Sequence, residues 1–380
     1  MARFTVNSTI FKKTAEKVLT VINKRLPFPI AVEVADGKVK MRGMNGDHCL
    51  EVATDSVWNT EDGAINIFPD DLETIIKLSG DITVTKTEKK TIKVTAGRKN
   101  IILPIADTDI LCMPEVEEEN KILQFTEGWL YETLSEMSPF ASRDRSREIF
   151  NSVNFSIRYS QAETADIPRI SIRKFPPYSV IGKGENCTLN VMCVPVLKKV
   201  LDRKSNSKVV ISMDEKHIQI KCKNAVYVIR QMSGTYINTA KLLNDVSEWH
   251  FKVNAEKLRE ITEYYGTVAM RNKVNNFFSF FKYGDKLYSV FLSGTCVVTD
   301  ELETQDLLFP DDFCIAFNSL YLAQALKIID TNYPLIRGTN KNTYPLYIDG
   351  KNYTFFILPI KQESGLAERV KKQITEEIGQ

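Results

Sequence analysis

The chain has 380 residues, 43% of them hydrophobic, with 50 Lys and Arg against 48 Asp and Glu. That length exceeds one ordinary core and suits about three domains, and a net charge of +2 is too small to name a partner by itself. No run approaches the roughly 20 apolar residues of a membrane span, the N-terminus lacks a signal-peptide pattern, and seven scattered cysteines without a Cys-x-x-Cys pair point to reduced thiols in a cytoplasmic protein.

In chain order, one unit is spelled six times: an apolar strand, a polar or capping residue, a helix-period stretch, then alternating strands. The strands end at Val6, Ile67, Phe125, Val191, Val253 and Phe317, in steps of 61, 58, 66, 62 and 64 residues. Such a period decides architecture and predicts three similar domains, each made of two similar halves. The first helix is expected from Ser8 through Arg25, with apolar residues at Phe11, Ala15, Val18, Leu19 and Ile22. The hairpin Ile30–Val34, Asp36-Gly37, Lys38–Arg42 follows. The second helix opens at Pro69 and runs to Ser79-Gly80, and Ile82–Thr85, Thr91–Thr95 and Ile101–Leu103 are strands. The third helix is expected over Glu127–Met137 and the fourth from about Pro195 to Arg203, followed by strands at Val209–Ser212, Ile218–Lys221 and Val226–Arg230. The fifth helix is expected to end at Tyr265-Gly266 and the sixth at Asp330, before strands either side of an Asp349-Gly350 turn. Asn, Asp, Ser and Thr at the strand–helix junctions can accept from free helix amides. Helices alternating with meanders imply an α+β fold with antiparallel sheets and helices on one face.

Charge is patterned on these elements. Lys12, Lys13, Lys17, Lys24 and Arg25 fall on the free side of the first helix, and Lys198 and Lys199, with Arg203 and Lys204, on the fourth. The loop after the third helix reads Arg143-Asp-Arg145-Ser-Arg147. Such faces suit phosphates or are simply solvated. Catalytic patterns are missing. His48, His217 and His250 show no metal-ligand spacing, Gly182-Lys-Gly184 lacks the spacing of a phosphate loop, and no nucleophile elbow or dinucleotide fingerprint occurs. An enzyme is the weaker class, and no metal or cofactor is expected.

Local matches on this sixfold frame are Phe28-Pro29-Ile30 before Val34-Ala-Asp-Gly37-Lys-Val, Phe317-Asn318-Ser-Leu-Tyr321-Leu, and Phe356-Ile-Leu-Pro359-Ile360-Lys361. In order and spacing the chain resembles the β sliding clamp family of bacterial DNA polymerase III. The resemblance implies three tandem clamp domains, 1–120, 121–247 and 248–362, with a tail at 363–380. It also implies a head-to-tail homodimer closed into a ring, with helices lining the hole and sheets outside. The function implied is a non-catalytic processivity factor that encircles duplex DNA without sequence preference and tethers a replicative polymerase, a clamp loader and other motif-bearing partners. The alternative is a clamp-like decoy that no longer closes.

On this resemblance Arg25 and the Arg143–Arg147 loop face DNA. A partner-peptide pocket falls at Phe150, Arg173, Phe175, Pro176, Pro177, Tyr178, Ile237, Lys241, Leu242, Asn318, Tyr321, Pro345, Phe356, Leu358, Pro359 and Ile360. The dimer interface would join Ile101, Ile102 and Leu103 to Val268, Ala269 and Met270. Two departures from the family are visible. Arg173-Lys-Phe-Pro-Pro-Tyr178 replaces a Thr-Asp-Gly-His-Arg-Leu stretch, and the chain continues past the last strand. That extension sets Leu366, Val370, Ile374 and Ile378 four residues apart, on one face of a short helix expected to modulate access to the pocket.

Overall fold

The structure, a computed structural model, describes residues 2–378 except 24, 26, 27, 110, 111, 118, 119, 244–246, 294, 295, 312, 342 and 362–364. The side chains of residues 145, 293, 377 and 378 are likewise outside the description. Seven helices are described: α1 (Ser8–Leu19), α2 (Pro69–Ile75), α3 (Glu127–Met137), α4 (Val194–Val200), α5 (Ala255–Asn272), α6 (Ser319–Ile328) and α7 (Leu366–Ile378). Each of the first six follows a strand, at Arg3–Asn7, Gly63–Ile67, Lys121–Thr126, Asn186–Asn190, Trp249–Val253 and Cys314–Asn318, although before α4 a 3-10 turn, Val191–Cys193, intervenes and takes the expected strand end Val191. The six-step period is therefore real. The junction chemistry is also as expected: Asn7, Asn254 and Asn318 cap α1, α5 and α6 with their side chains, and Pro69 occupies the first turn of α2.

Helix ends differ from expectation for local reasons. α1 stops at Leu19, where the Thr20 hydroxyl and amide both bond the Lys17 carbonyl and close the last turn. α2 closes at Ile75 with Ile76 as its cap, α4 covers Val194–Val200 only, and α6 stops at Ile328. α5 instead runs through Gly266 to Asn272, with Lys273 as a left-handed cap at φ 54°. Gly266 is a packing glycine. A Cβ there would stand 2.7 Å from Leu320 Cδ2 of α6, which lies against α5.

The chain forms two compact units. One comprises 1–135 and 176–234, the other 136–175 and 235–380. In the first, a five-stranded antiparallel sheet runs Val57–Glu61, Arg3–Asn7, Asp81–Lys86, Thr91–Ala96, Lys99–Pro104. An eight-stranded sheet runs Lys121–Thr126, Lys208–Met213, His217–Cys222, Ala225–Arg230, His48–Thr54, Lys38–Met44, Ile30–Ala35, Gly63–Ile67. Its seam is His48–Thr54 against Ala225–Arg230, so strands on both sides of the expected 120/121 boundary share one sheet. The Asp36-Gly37 hairpin forms with both turn residues at positive φ.

In the second unit a sheet runs Ser152–Ser156, Gln161–Asp166, Arg169–Lys174, Tyr353–Ile357, Leu346–Asp349, Leu335–Gly338, Trp249–Val253, Thr304–Leu308. A four-stranded sheet runs Cys296–Leu302, Lys286–Ser293, Phe277–Tyr283, Cys314–Asn318. Between α5, α6 and these strands lies an aromatic core that includes Trp249, Phe251, Tyr265, Phe278, Phe280, Phe291 and Phe317. α7 packs on the four-stranded sheet. Val370 and Ile374, both 0% exposed, meet Phe281, Tyr288, Val290 and Cys314, with Leu366 and Ala367 alongside. The side chain of Ile378 lies outside the described residues.

Candidate functional site

Two sets of side chains stand out, a basic helix pair in the first unit and an apolar pocket in the second. The pair is built from the sheet outward. α1 buries Phe11, Thr14, Ala15 and Val18 on the strands Lys38–Met44 and His48–Thr54. Close approach depends on Gly43, where a Cβ would meet Val18 Cγ1 at 2.7 Å. α4 buries Val194, Val196, Leu197 and Val200 and packs beside α1. What each helix leaves outside is basic. Lys12, Lys13, Lys198 and Lys199 are exposed and Lys17 is half-buried, while Arg25, past the end of α1, is exposed. Glu16 is the acidic neighbour, 3.9 Å from the Lys12 ammonium, and Lys198 Nζ lies 5.5 Å from the Tyr131 ring centroid. Lys24 lies outside the described residues, as does the side chain of Arg145. Arg143 and Arg147 are exposed in the second unit. Between them Asp144 caps the short turn Arg145–Phe150 by accepting from the Ser146 amide at 2.9 Å, a bond that holds its carboxyl below the usual carboxylate range.

The pocket has a volume of about 430 Å³ and is lined by Lys241, Leu242 and Leu243 on one side and Thr343, Tyr344, Pro345, Tyr347 and Phe356 on the other. Its floor is an apolar cluster of Ala165, Ile170, Ile172, Tyr236, Tyr347 and Phe356, with Ile149, Phe150, Leu243 and Leu358 packed against it. Strand alternation sorts the Tyr353–Ile357 strand. Phe356 turns to this cluster while Phe355 and Ile357 enter the aromatic core. Of the sequence-predicted residues, Phe150, Lys241, Leu242, Pro345, Phe356 and Leu358 thus meet at one place. Leu243, Tyr344 and Tyr347 join them beyond the sequence expectation. Tyr347 is opposite Phe356 in the Asp349 hairpin, so the hairpin register carries that signal.

The other predicted pocket residues do not line this cavity. Arg173 pairs with Glu136 at 3.2 Å and lies 5.1 Å from the Tyr353 ring centroid. Phe175 packs on Phe155. Asn318 caps α6, and the Tyr321 ring stacks under the buried Arg169 guanidinium at 4.6 Å. Ile360 donates its amide to the Ala316 carbonyl, Pro359 is half-buried, and Ile237 is 37% exposed. Pro176, Pro177 and Tyr178 belong to the first unit, where Tyr178 is 94% exposed at φ 61°.

The predicted interface residues are an edge and a helix end. Lys99–Pro104 is the outer strand of the five-stranded sheet, with Ile102 at 71% exposure and Ile101 and Leu103 half-buried. Val268, Ala269 and Met270 occupy the last turns of α5, where Met270 is 70% exposed and Ala269 is part of the buried stripe. A second cavity, about 530 Å³ and lined by Asn66, Lys86, Ile105 and Asp107 among others, holds none of the expected residues. Among the described residues no group of three His, Cys, Asp or Glu side chains could hold a metal ion, and no helix is long and apolar enough to cross a membrane.

No protein-family model matches the chain. The β sliding clamp of Staphylococcus aureus (strain Mu50) is 23% identical over 388 residues, which span 95% of this chain and 100% of the relative. The β subunit of DNA polymerase from Streptococcus pyogenes has the same fold, with a TM-score of 0.84 at 20% identity over 95% of this chain and 100% of that one. The Helicobacter pylori β clamp, solved with a DNA ligase peptide, matches at a TM-score of 0.80 and 16% identity over 94% of this chain and 100% of that one. Fold, length and relatives agree: over 95% of its length the chain is similar to β sliding clamps, and it has their fold.

Proposed function

We propose that this chain is a DNA sliding clamp, a non-catalytic processivity factor that acts as a cytoplasmic head-to-tail homodimer closed around duplex DNA. The reading treats 1–120, 121–247 and 248–362 as three clamp domains. The observation that carries it is the basic pair α1–α4, set on a fold shared over 95% of the chain with clamps. Lysines on rigid helices touch phosphates without reading bases. A closed protein needs no tight affinity, because topology holds it in place. The exposed Lys99–Pro104 edge and Met270 supply surfaces that closure would cover.

Partners dock, on this proposal, in the pocket between Leu242 and Phe356, by inserting a few apolar anchors of a short peptide. The Helicobacter pylori clamp, solved with a DNA ligase peptide, supports peptide binding by a protein of this fold. A replicative polymerase and a clamp loader are the expected users, and the loader, not this chain, supplies ATP chemistry. The experiment is retention on nicked circular DNA after loading. Retention that disappears when the circle is linearised, together with a dimeric mass by light scattering, is the expected result. A monomer that never stays on the circle would replace this reading with that of a decoy.

A further inference from the structure

The sheet face that floors the pocket also carries a buried carboxylate. Alternation along the Gln161–Asp166 strand puts Gln161, Glu163 and Ala165 on one face. Glu163 is opposite Asn154 on one neighbouring strand and Ile172 on the other. The same face continues through Ile170 to Phe356 and Tyr347. Glu163 is 2% exposed. It accepts from Gln161 Nε2 at 2.8 Å and from the side chains of Thr239 and Asn154. These partners are all neutral, and the titratable neighbour acting across it is the buried Tyr236 hydroxyl. Burial pushes its pKa above the usual carboxylate range.

One chain segment covers both the carboxylate and the pocket. Thr239, 1% exposed, opens the short turn Thr239–Lys241, and the next two residues, Leu242 and Leu243, are pocket wall. Three attachments fix this segment to the sheet. The Tyr236 ring enters the apolar floor. Thr239 meets Glu163 and lies 3.3 Å from Gln161 Nε2. The Tyr347 hydroxyl donates to the Leu242 carbonyl at 2.9 Å. Among the described residues no cation partners this carboxylate, which makes it an expensive way to fill a face. What it offers is acceptor capacity: two oxygens for three donors, where a glutamine has one.

We propose that Glu163 is a positioning residue for the partner pocket: its ionised carboxylate grips Thr239 and so sets the wall Thr239–Leu243, and proton uptake there loosens the wall and weakens peptide binding. This rests on the pocket reading above.

The test is hydrogen exchange of residues 235–243 in the full chain, corrected for intrinsic rates, between about pH 5 and about pH 8. The wild type is expected to lose protection in this segment toward acid. Glu163→Gln and Thr239→Val, which break the grip from either side, are expected to show low protection throughout and no step. A fluorescein-labelled peptide selected on the wild-type chain from an apolar-anchored library gives the second readout. Its affinity is expected to fall about tenfold in either variant at neutral pH and to match the wild type at the acid end. Identical exchange in wild type and both variants overturns the proposal, as does altered exchange with unaltered peptide affinity. A wild type that shows the exchange step yet selects no peptide supports the latch and overturns the pocket reading instead.

Discussion

Phe11 and Lys12 are adjacent in the chain and opposite in fate: one is 1% exposed against the sheet, the other free to meet solvent or phosphate. That division follows from helix phase, which turns Phe11 with Ala15 and Val18 to the sheet and Lys12 away from it, and Gly43 lets the same face approach closely at Val18. Beside it the seam of the eight-stranded sheet hides a titratable group. His48 Nδ1 is 2.5 Å from the Tyr227 hydroxyl, on strands that pair directly. Burial lowers its pKa, and nearby Asp47 opposes only part of that. The folded state therefore binds the proton less readily than the unfolded chain does. Stability from this group is complete above the ordinary value of 6.5. It falls as pH drops below that value and levels off only once folded His48 is also protonated. Urea midpoints at about pH 7.5 and about pH 5 should differ more for the wild type than for His48→Gln. Equal differences in the two proteins would assign the acid sensitivity to other groups.

At the scale of elements, α7 offers the clearest case. A helix of 13 residues is marginal alone, so it persists because Val370 and Ile374 are seated on the four-stranded sheet. Those seats are themselves apolar, so removing the helix uncovers Phe281, Tyr288 and Val290. Truncation after Lys361 is expected to leave the aromatic core folded, raise binding of an apolar dye and promote self-association. None of the residues under α7 lines the pocket, so peptide affinity should stay within about twofold, a shift of no more than ~0.4 kcal/mol. A larger change would restore the role in pocket access that its sequence implies. The tail also illustrates what is legible in a sequence. Spacing of four predicts its helix and its buried face, and the sixfold period predicts every strand–helix step, because both depend on residues close in sequence. Gly266 reads as a helix end in sequence but is not one, because its reason, the approach of Leu320, lies on another helix. The pocket is half legible for the same cause. Phe356 and Leu358 are expected there from the family resemblance, whereas Leu243 and Tyr347 join them only through tertiary register and a covering segment.

The whole molecule is nearly neutral, +2 over 380 residues, so long-range attraction to DNA is weak and local faces must supply it. The proposed clamp then separates two quantities that ordinary DNA-binding proteins combine. Direct affinity comes from phosphate contacts and falls with salt, whereas residence on a closed circle comes from enclosure and does not. Changing Lys12, Lys13, Lys198 and Lys199 to Glu together acts on the first alone, since all four are exposed and none belongs to the proposed interface residues of Lys99–Pro104 and α5. Binding to short linear duplex should weaken. Its salt dependence should flatten by roughly 0.9 in the slope of log K against log salt for each phosphate no longer neutralised. Dimer mass should not change. Copies already loaded on nicked circles should remain through a moderate-salt wash as the wild type does, although fewer are loaded. Gel-shift titrations on the linear duplex and gel filtration of the loaded circles read the two quantities separately. Should the variant leave the circles as readily as it leaves linear DNA while still dimeric, electrostatic contact rather than enclosure would be what holds this protein on its substrate.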